Sequence, residues 1–338
     1  MCCCGRRCDG WQGMASAEDN LIARYFKPLA NHAGAFGLSD DCAILTSSGD
    51  DLVLTTDAIV EGVHFLPDDP PESIARKALR VNLSDLAAKG ASPAGFLLTL
   101  ALRSAEESWL APFAKALGED AAAFGCPLLG GDTVSTPGPL MISVTAFGRV
   151  PAGRMVRRAG ARPGDHVVVS GTIGDAALGL DILKGGPAAG AVSGEARAAL
   201  VQRYREPQPR SALAQAVRDH ASAAMDVSDG LAGDLAKLCA VSAVSAAIDA
   251  AAVPLSEAAR AVLAAGAGRI AQLIAGGDDY EILCTVPQAR LDAFQADARR
   301  AGVMVTVIGR ITDGAATPQF SDAEGRPIAL SALSYSHF

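Results

Sequence analysis

Five short stretches of this chain place aspartates where they could share a cation: Asp40-Asp41, Thr55-Thr56-Asp57, Asp85, Gly130-Gly131-Asp132 and Asp226–Asp229. The apolar run Leu52–Leu54 leads into Thr55-Thr56-Asp57, and the chain then turns through Glu61-Gly62 to His64. A strand ending on an acid is a good place to hold a metal ion. Asp85 stands between Leu83 and Leu86-Ala87 in a helical pattern, where a carboxylate is costly unless a cation meets it. Gly130-Gly131 would let the backbone approach a phosphate while Asp132 faces its metal. In Asp226-Val227-Ser228-Asp229, extended backbone would put Asp226 and Ser228 on one face. Each stretch alone also reads as ordinary structure: an exposed turn, a helix cap or a helix surface.

Aspartates scattered over several turns suit Mg²⁺, which takes a few carboxylates and completes its shell with water and phosphate oxygens. The His and Cys of a zinc site are absent from these stretches. A nucleotide phosphate chain held by several Mg²⁺ ions fits the set. There is no G-x-x-x-x-G-K-[ST] phosphate loop and no V-A-I-K or H-R-D kinase signature. His64 reads as a base, a substrate contact or a core histidine. Arg158, beside Arg154 and Arg157, reads as a phosphate contact or part of a solvated basic face. Gly171–Gly174 reads as a weak phosphate-loop candidate or, more simply, a plain strand-to-helix turn, Gly276–Glu281 as another Gly-to-acid turn, and Tyr335 as a stacking platform or a surface residue.

The elements must bring these residues together. Helical spacing predicts helices over 17–30, 73–89 and 106–124, with strands over 42–45, 52–57 and 96–102, a strand over 127–131 ending at a Gly-Gly-Asp turn, and a strand over 141–148. After a Pro/Gly-marked joint at 149–164, strands are expected at 166–170, 246–248, 281–286 and 303–308. Helices are expected at 175–184, 195–204, 211–219, 229–241, 256–265 and 289–301, with 185–194 a small-residue, mobile loop. Strands and helices in mixed order indicate an α+β chain of two domains, 14–150 and 151–338.

With 338 residues, half of them hydrophobic, the chain can bury two cores. Its net charge of −8 argues against a nucleic-acid partner. No run approaches the roughly 18 apolar residues of a membrane span, so a soluble protein with no membrane partner is expected. Cys42, Cys126, Cys239 and Cys284 sit in apolar surroundings and read as buried thiols of a reducing compartment, hence a cytoplasmic location. The stretch 1–13, with Cys2, Cys3, Cys4 and Cys8 but no C-x-x-C pair, is expected to be a disordered leader or a misassigned start, with Met14 as the alternative first residue.

The ordered stretches LIARYF (21–26), GLSDDCAIL (37–45), TTDAIVEGVHF (55–65), VNLSDLAAKGA (81–91), LLGGDT (128–133), MDVSDGL (225–231), GGDDYEIL (276–283) and YSHF (335–338) together resemble the thiamine-monophosphate kinases of the aminoimidazole ribonucleotide synthetase-like superfamily. The resemblance implies an N-terminal mixed α/β sheet domain that forms a barrel in a homodimer, and a C-terminal ferredoxin-like α/β domain. It implies ATP-dependent phosphorylation of thiamine monophosphate to thiamine diphosphate, with Mg²⁺ and K⁺. By position, Asp41, Asp57, Asp85, Asp132, Asp226 and Asp229 would hold Mg²⁺, helped by Thr55 and Thr56. Gly131, Asp132, Arg158 and Ser228 would contact ATP, and His64, Asp278 and Tyr335 the thiamine phosphate. Asp278 departs from the family's more usual Glu, which retracts that carboxylate by one methylene. The acceptor is already an anionic phosphate, so direct in-line transfer needs no nucleophilic residue or strong base. Sister enzymes are the alternatives: a selenophosphate synthetase would need a reactive N-terminal Cys with a neighbouring Lys, which is absent, and EGVHF favours the thiamine enzyme. A nucleotide sensor without turnover would seldom need so many metal ligands.

Overall fold

The computed structural model describes residues 36, 39–40, 43–46, 49–330 and 333–334. The expected helix over 17–30, Asp41, Cys42 and Tyr335 lie outside the described residues.

The first sheet contains β1 (Ala43–Thr46), β2 (Asp50–Val60), β3 (Ser92–Leu102), β4 (Leu128–Ser135) and β5 (Met141–Pro151), in the order β1-β2-β5-β3-β4. Strand β2 does not stop at Asp57. It pairs antiparallel with β5 over all eleven residues, so Asp57 lies inside the ladder, opposite Val144. The period of two then puts Val53, Thr55, Asp57 and Ile59 on one face, and Val53 and Ile59 are buried there. Gly130-Gly131-Asp132 is likewise not a turn but part of β4, an exposed strand running parallel to β3. A β-carbon on Gly131 would come within 1.8 Å of Leu98 O, so this glycine serves the close approach of β4 to β3.

Helices α1 (Pro71–Ala88) and α2 (Glu107–Ala123) follow β2 and β3. Proline at its first position suits the start of α1, where an N–H would lack a partner anyway. This helix is buried nearly all round because it lies between the two sheets, touching β2 and β5 on one side and the second sheet on the other. Its apolar residues Ile74, Ala78, Leu79, Leu83 and Leu86 pack with Val53, Phe96, Ile142 and Val144. Its polar residues therefore have to find partners inside the molecule.

The second sheet has six strands, β6 (His166–Ser170), β7 (Ala223–Asp226), β8 (Ser245–Asp249), β9 (Ile282–Val286), β10 (Val305–Thr312) and β11 (Gln319–Ser321), ordered β11-β8-β10-β6-β9-β7. Only β11 pairs parallel, with β8; the other pairs are antiparallel. The sheet is larger than the four strands of a ferredoxin-like unit. Helices α3 (Asp175–Leu183), α4 (Gly194–Arg205), α5 (Ala214–His220), α6 (Leu231–Ser242), α7 (Glu257–Ala264), α8 (Ile270–Ala275) and α9 (Leu291–Arg300) surround it. The four-residue β7, six-residue α8 and three-residue β11 are absent from the sequence-based expectations, because each is too short to show a period. Within 185–194, Pro187–Gly190 forms a 3₁₀ turn with Ala188 buried. Cys126, Cys239 and Cys284 are buried free thiols, and burial raises their pKa values to about 11, 12 and 12. No helix among the described residues is long and apolar enough to cross a membrane.

Candidate functional site

A cavity of about 550 Å³ opens where α1 meets the ends of β2 and β7, lined by residues from both sheets. Strand β2 contributes Thr55 and Asp57, and the turn after it His64. Helix α1 contributes Asp85. Asp226, the last residue of β7, and the following Ser228 and Asp229 enter from the second sheet. Arg158 comes from the segment joining the sheets, and Asp278 from the turn after α8. Thus Thr55, Thr56, Asp57, His64, Asp85, Arg158, Asp226, Ser228, Asp229 and Asp278 line one cavity although the sequence spreads them over more than two hundred residues.

Gly131 and Asp132 do not line it. Across the first sheet Asp57 stands opposite Val144, Val144 opposite Leu98, and Leu98 opposite Gly131. Three strand spacings, about 14 Å, therefore separate the rows of Asp57 and Gly131. The two threonines also divide: Thr55 Oγ1 donates to Asp85 Oδ2, whereas Thr56 Oγ1 donates to Val144 O at 3.1 Å and pairs with Thr145 Oγ1. The turn Gly171–Gly174 is an ordinary strand-to-helix connection, its Gly174 N–H donating to both carboxylate oxygens of buried Asp279 at 2.9 Å.

The carboxylates repel one another. Burial, then Asp229, raises the pKa of Asp57 to about 6. Burial raises Asp226 to about 7; the Ser84 hydroxyl opposes this, and Asp234 and Asp57 add to it. Asp85 is raised well above the usual range by burial, then by Asp226 and Asp57, against the Thr55 bond and Lys89. So much negative charge, offset only in part by Lys89 and Lys237, in a cavity with Thr and Ser hydroxyls, is the donor chemistry of a hard divalent cation. Among the described residues no three of these groups already converge as a ready-made cage. That spacing suits ions whose shells are completed by water and phosphate oxygens.

Two charged cavity residues, Asp234 and Lys237, lie outside the sequence-based expectations. Asp234, in the first turn of α6, is fully buried and its Oδ2 accepts the N–H groups of Ser228, Asp229 and Gly230 at 3.0–3.2 Å, fixing the acidic loop. Its position four residues beyond Gly230 was the available signal. Lys237 pairs with Asp229 Oδ2 and with Asp234 Oδ1 at 3.2 Å; burial works against its charge, but these two aspartates outweigh it and raise its pKa. Asp40, adjacent to the expected Asp41, pairs with buried Lys89 at 2.8 Å and accepts the Arg158 N–H at 2.7 Å.

The turn at 276–280 holds two non-glycine residues in the left-handed region, Asp278 at φ 70° and Tyr280 at φ 50°. Such backbone costs roughly 1–2 kcal/mol per residue. It is held by hydrogen bonds from Asp278 N to Ser228 O and from Tyr280 N to Val227 O, both 2.8 Å. His64 Nδ1 accepts the Val60 N–H at 3.1 Å, so the neutral ring carries its proton on Nε2.

Known proteins bear on this arrangement. Residues 39–150 match the family model for the AIR synthase related protein N-terminal domain, and residues 162–318 the one for its C-terminal domain. The thiamine-monophosphate kinase of Caulobacter vibrioides is 44% identical over 327 residues, covering 95% of this chain and 90% of the relative. The solved structure of AaThiL complexed with AMPPCP and TMP superposes with a TM-score of 0.78 at 32% identity, covering 90% of this chain and 97% of that one. The crystal structure of thiamine-monophosphate kinase from Stenotrophomonas maltophilia superposes with a TM-score of 0.75 at 38% identity, covering 93% and 98%.

Proposed function

We infer the chemistry of this cavity from one premise: the chain belongs to the AIR synthase related family and, within it, to the thiamine-monophosphate kinases. Its reaction is the ATP-dependent phosphorylation of thiamine monophosphate to thiamine diphosphate. One observation carries the proposal for how it is done: a cluster of mutually repelling carboxylates, drawn from both sheets, lines the same cavity as His64 and Asp278.

In this proposal Asp57, Asp85, Asp226 and Asp229, with Thr55 Oγ1, hold Mg²⁺, and Asp41 joins them. Bound there, Mg²⁺ would neutralise phosphate charge and remove the repulsion between donor and acceptor. Ser228 and Arg158 meet phosphate oxygens of ATP. His64 offers an N–H donor and Asp278 a carboxylate acceptor to thiamine monophosphate, and Tyr335 is assigned to the same substrate. Asp234 keeps the Ser228–Gly230 backbone rigid while these contacts form. The acceptor phosphate is ionised before it arrives, so the chain's task is to align and screen, and the phosphoryl group passes directly between the two substrates.

The proposal extends to a homodimer. Leu97 of β3 and Leu128, Leu129 and Val134 of β4 are among the few large apolar side chains exposed among the described residues. The last three lie on β4, with Leu97 on the neighbouring strand, and among the described residues β4 pairs only with β3, the kind of edge that pairs with another chain. Asp132 and Gly131 lie on that strand, so in the dimer their proposed ATP contacts would form at or across the interface. Division of the chain at residue 150, into 14–150 and 151–338, and a cytoplasmic location belong to the same proposal; the family matches at 39–150 and 162–318 and the three buried thiols support them.

The test is product formation by purified protein with Mg·ATP, with and without thiamine monophosphate, read by chromatography. Thiamine diphosphate should appear only when its precursor is present and fall at least about 100-fold in Asp57→Asn, the scale expected when a charge that stabilises the transferring group is lost. Full activity in Asp57→Asn would refute the metal assignment. Replacing K⁺ by Na⁺ in the same assay tests the monovalent ion.

A further inference from the structure

Lys77 is a cation that the carboxylate cluster leaves unexplained. It lies in the middle of α1 at 1% exposure, where an ammonium group without partners would be severely destabilising. Its Nζ donates to His64 O at 2.8 Å and to Asp278 Oδ2 at 3.1 Å, and sits 3.9 Å over the Tyr204 ring. The Tyr204 hydroxyl, from α4, donates to the same His64 oxygen at 3.3 Å. One lysine on the helix between the sheets thus ties the turn carrying His64, which follows β2, to the turn carrying Asp278, which precedes β9.

The connection controls geometry. Asp278 is in a left-handed conformation, uncommon outside glycine though tolerated by aspartate, and the contacts around it hold it there. Its N–H is fixed on Ser228 O and its Oδ2 on Lys77, while Oδ1 accepts no hydrogen bond among the described residues. The carboxylate therefore faces the cavity with one oxygen committed to the protein and the other available to a ligand. On the other side of the lysine, Lys77 and Tyr204 share one carbonyl of the His64 turn, whose ring is oriented by Val60 N–H.

We propose that Lys77 is a positioning residue for thiamine monophosphate: by holding Asp278 and the His64 turn at a set separation, it determines affinity for that substrate and not for ATP. The proposal rests on reading His64 and Asp278 as contacts to thiamine monophosphate. Lys77→Met keeps most of the stem volume and removes the charge and donors. It should raise the KM for thiamine monophosphate tenfold or more while the KM for Mg·ATP moves less than twofold. Because Lys77 acts by tying Asp278 to the His64 turn and loss of either end breaks the tie, Lys77→Met added to Asp278→Ala should raise that KM by less than twofold beyond Asp278→Ala alone. Thermal melts come first; should Lys77→Met not fold, Lys77→Gln, whose amide can still donate to His64 O, is read by the same split and the same cycle. An unchanged KM for thiamine monophosphate, equal rises in both KM values, or additive losses in the cycle would overturn the role of Lys77. Wild-type protein that makes no thiamine diphosphate would instead overturn the underlying functional reading.

Discussion

Neutralising Asp226 should stabilise the metal-free protein while disabling it, and the stabilisation should depend on pH. Asp226 is 4% exposed, and burial together with Asp234 and Asp57 raises its pKa from 3.8 to about 7. An acid whose folded pKa exceeds its unfolded value favours the fold when protonated. Its stabilising effect is complete below pH 3.8 and is lost as pH rises through about 7. At about 1.4 kcal/mol per pKa unit, a shift of about three units costs the ionised form on the order of 4 kcal/mol at pH 8. That is a ceiling, since Asp57, Asp85 and Asp234 readjust when one charge is removed. Asp226→Asn keeps the shape and an oxygen for the Ser84 hydroxyl. In urea melts with chelator, it should gain about 2–4 kcal/mol over wild type at pH 8 and essentially nothing at pH 4. Added Mg·ATP should stabilise wild type increasingly as pH rises from 5 to 8 and should do little for the variant, whose turnover falls at least about 100-fold. A variant equally stable to wild type at pH 8, or a gain of the same size at pH 4, would refute the account of a strained carboxylate cluster.

Leu129→Asp on the exposed edge strand should shift the protein from twice the 34.4 kDa chain mass to the chain mass in sedimentation, with activity lost in parallel; a wild-type protein already at 34.4 kDa would end the dimer proposal. Rapid-quench experiments with γ-labelled ATP should pass label from ATP to thiamine diphosphate with no labelled protein at any time; a kinetically competent labelled intermediate would show that a side chain takes the phosphoryl group.

Much of the site was legible because its chemistry is unusual in sequence. Aspartates set among apolar residues need a cation wherever the fold puts them, and seven residues of the five acidic stretches line the cavity together with His64, Arg158 and Asp278. What they bind followed from resemblance, and not from spacing: alternation alone left Asp226–Asp229 open between helix cap and metal loop. Local readings erred where pairing partners decide the outcome. Asp57 looked like the end of a strand because Thr-Thr-Asp interrupts the apolar run, yet β5 supplies a partner for every residue as far as Val60. Gly130-Gly131-Asp132 looked like a turn because glycine favours turns, yet Gly131 is there to let β4 lie against the Leu98 carbonyl.

The sequence by itself determined the family, the α+β class, most of the helices and strands, and the carboxylates available for a metal. Those depend on residue type and short spacing, which travel with the chain. Only the tertiary structure decided that α1 lies between the sheets, so that its Asp85 meets Thr55 and its Lys77 meets Asp278. It also separated Thr56 from Thr55, placed Asp132 on an exposed edge about three strands from Asp57, and brought Asp234 under the acidic loop. These are contacts between residues distant in sequence. Their geometry follows from how two sheets close on one helix, which no window along the chain contains.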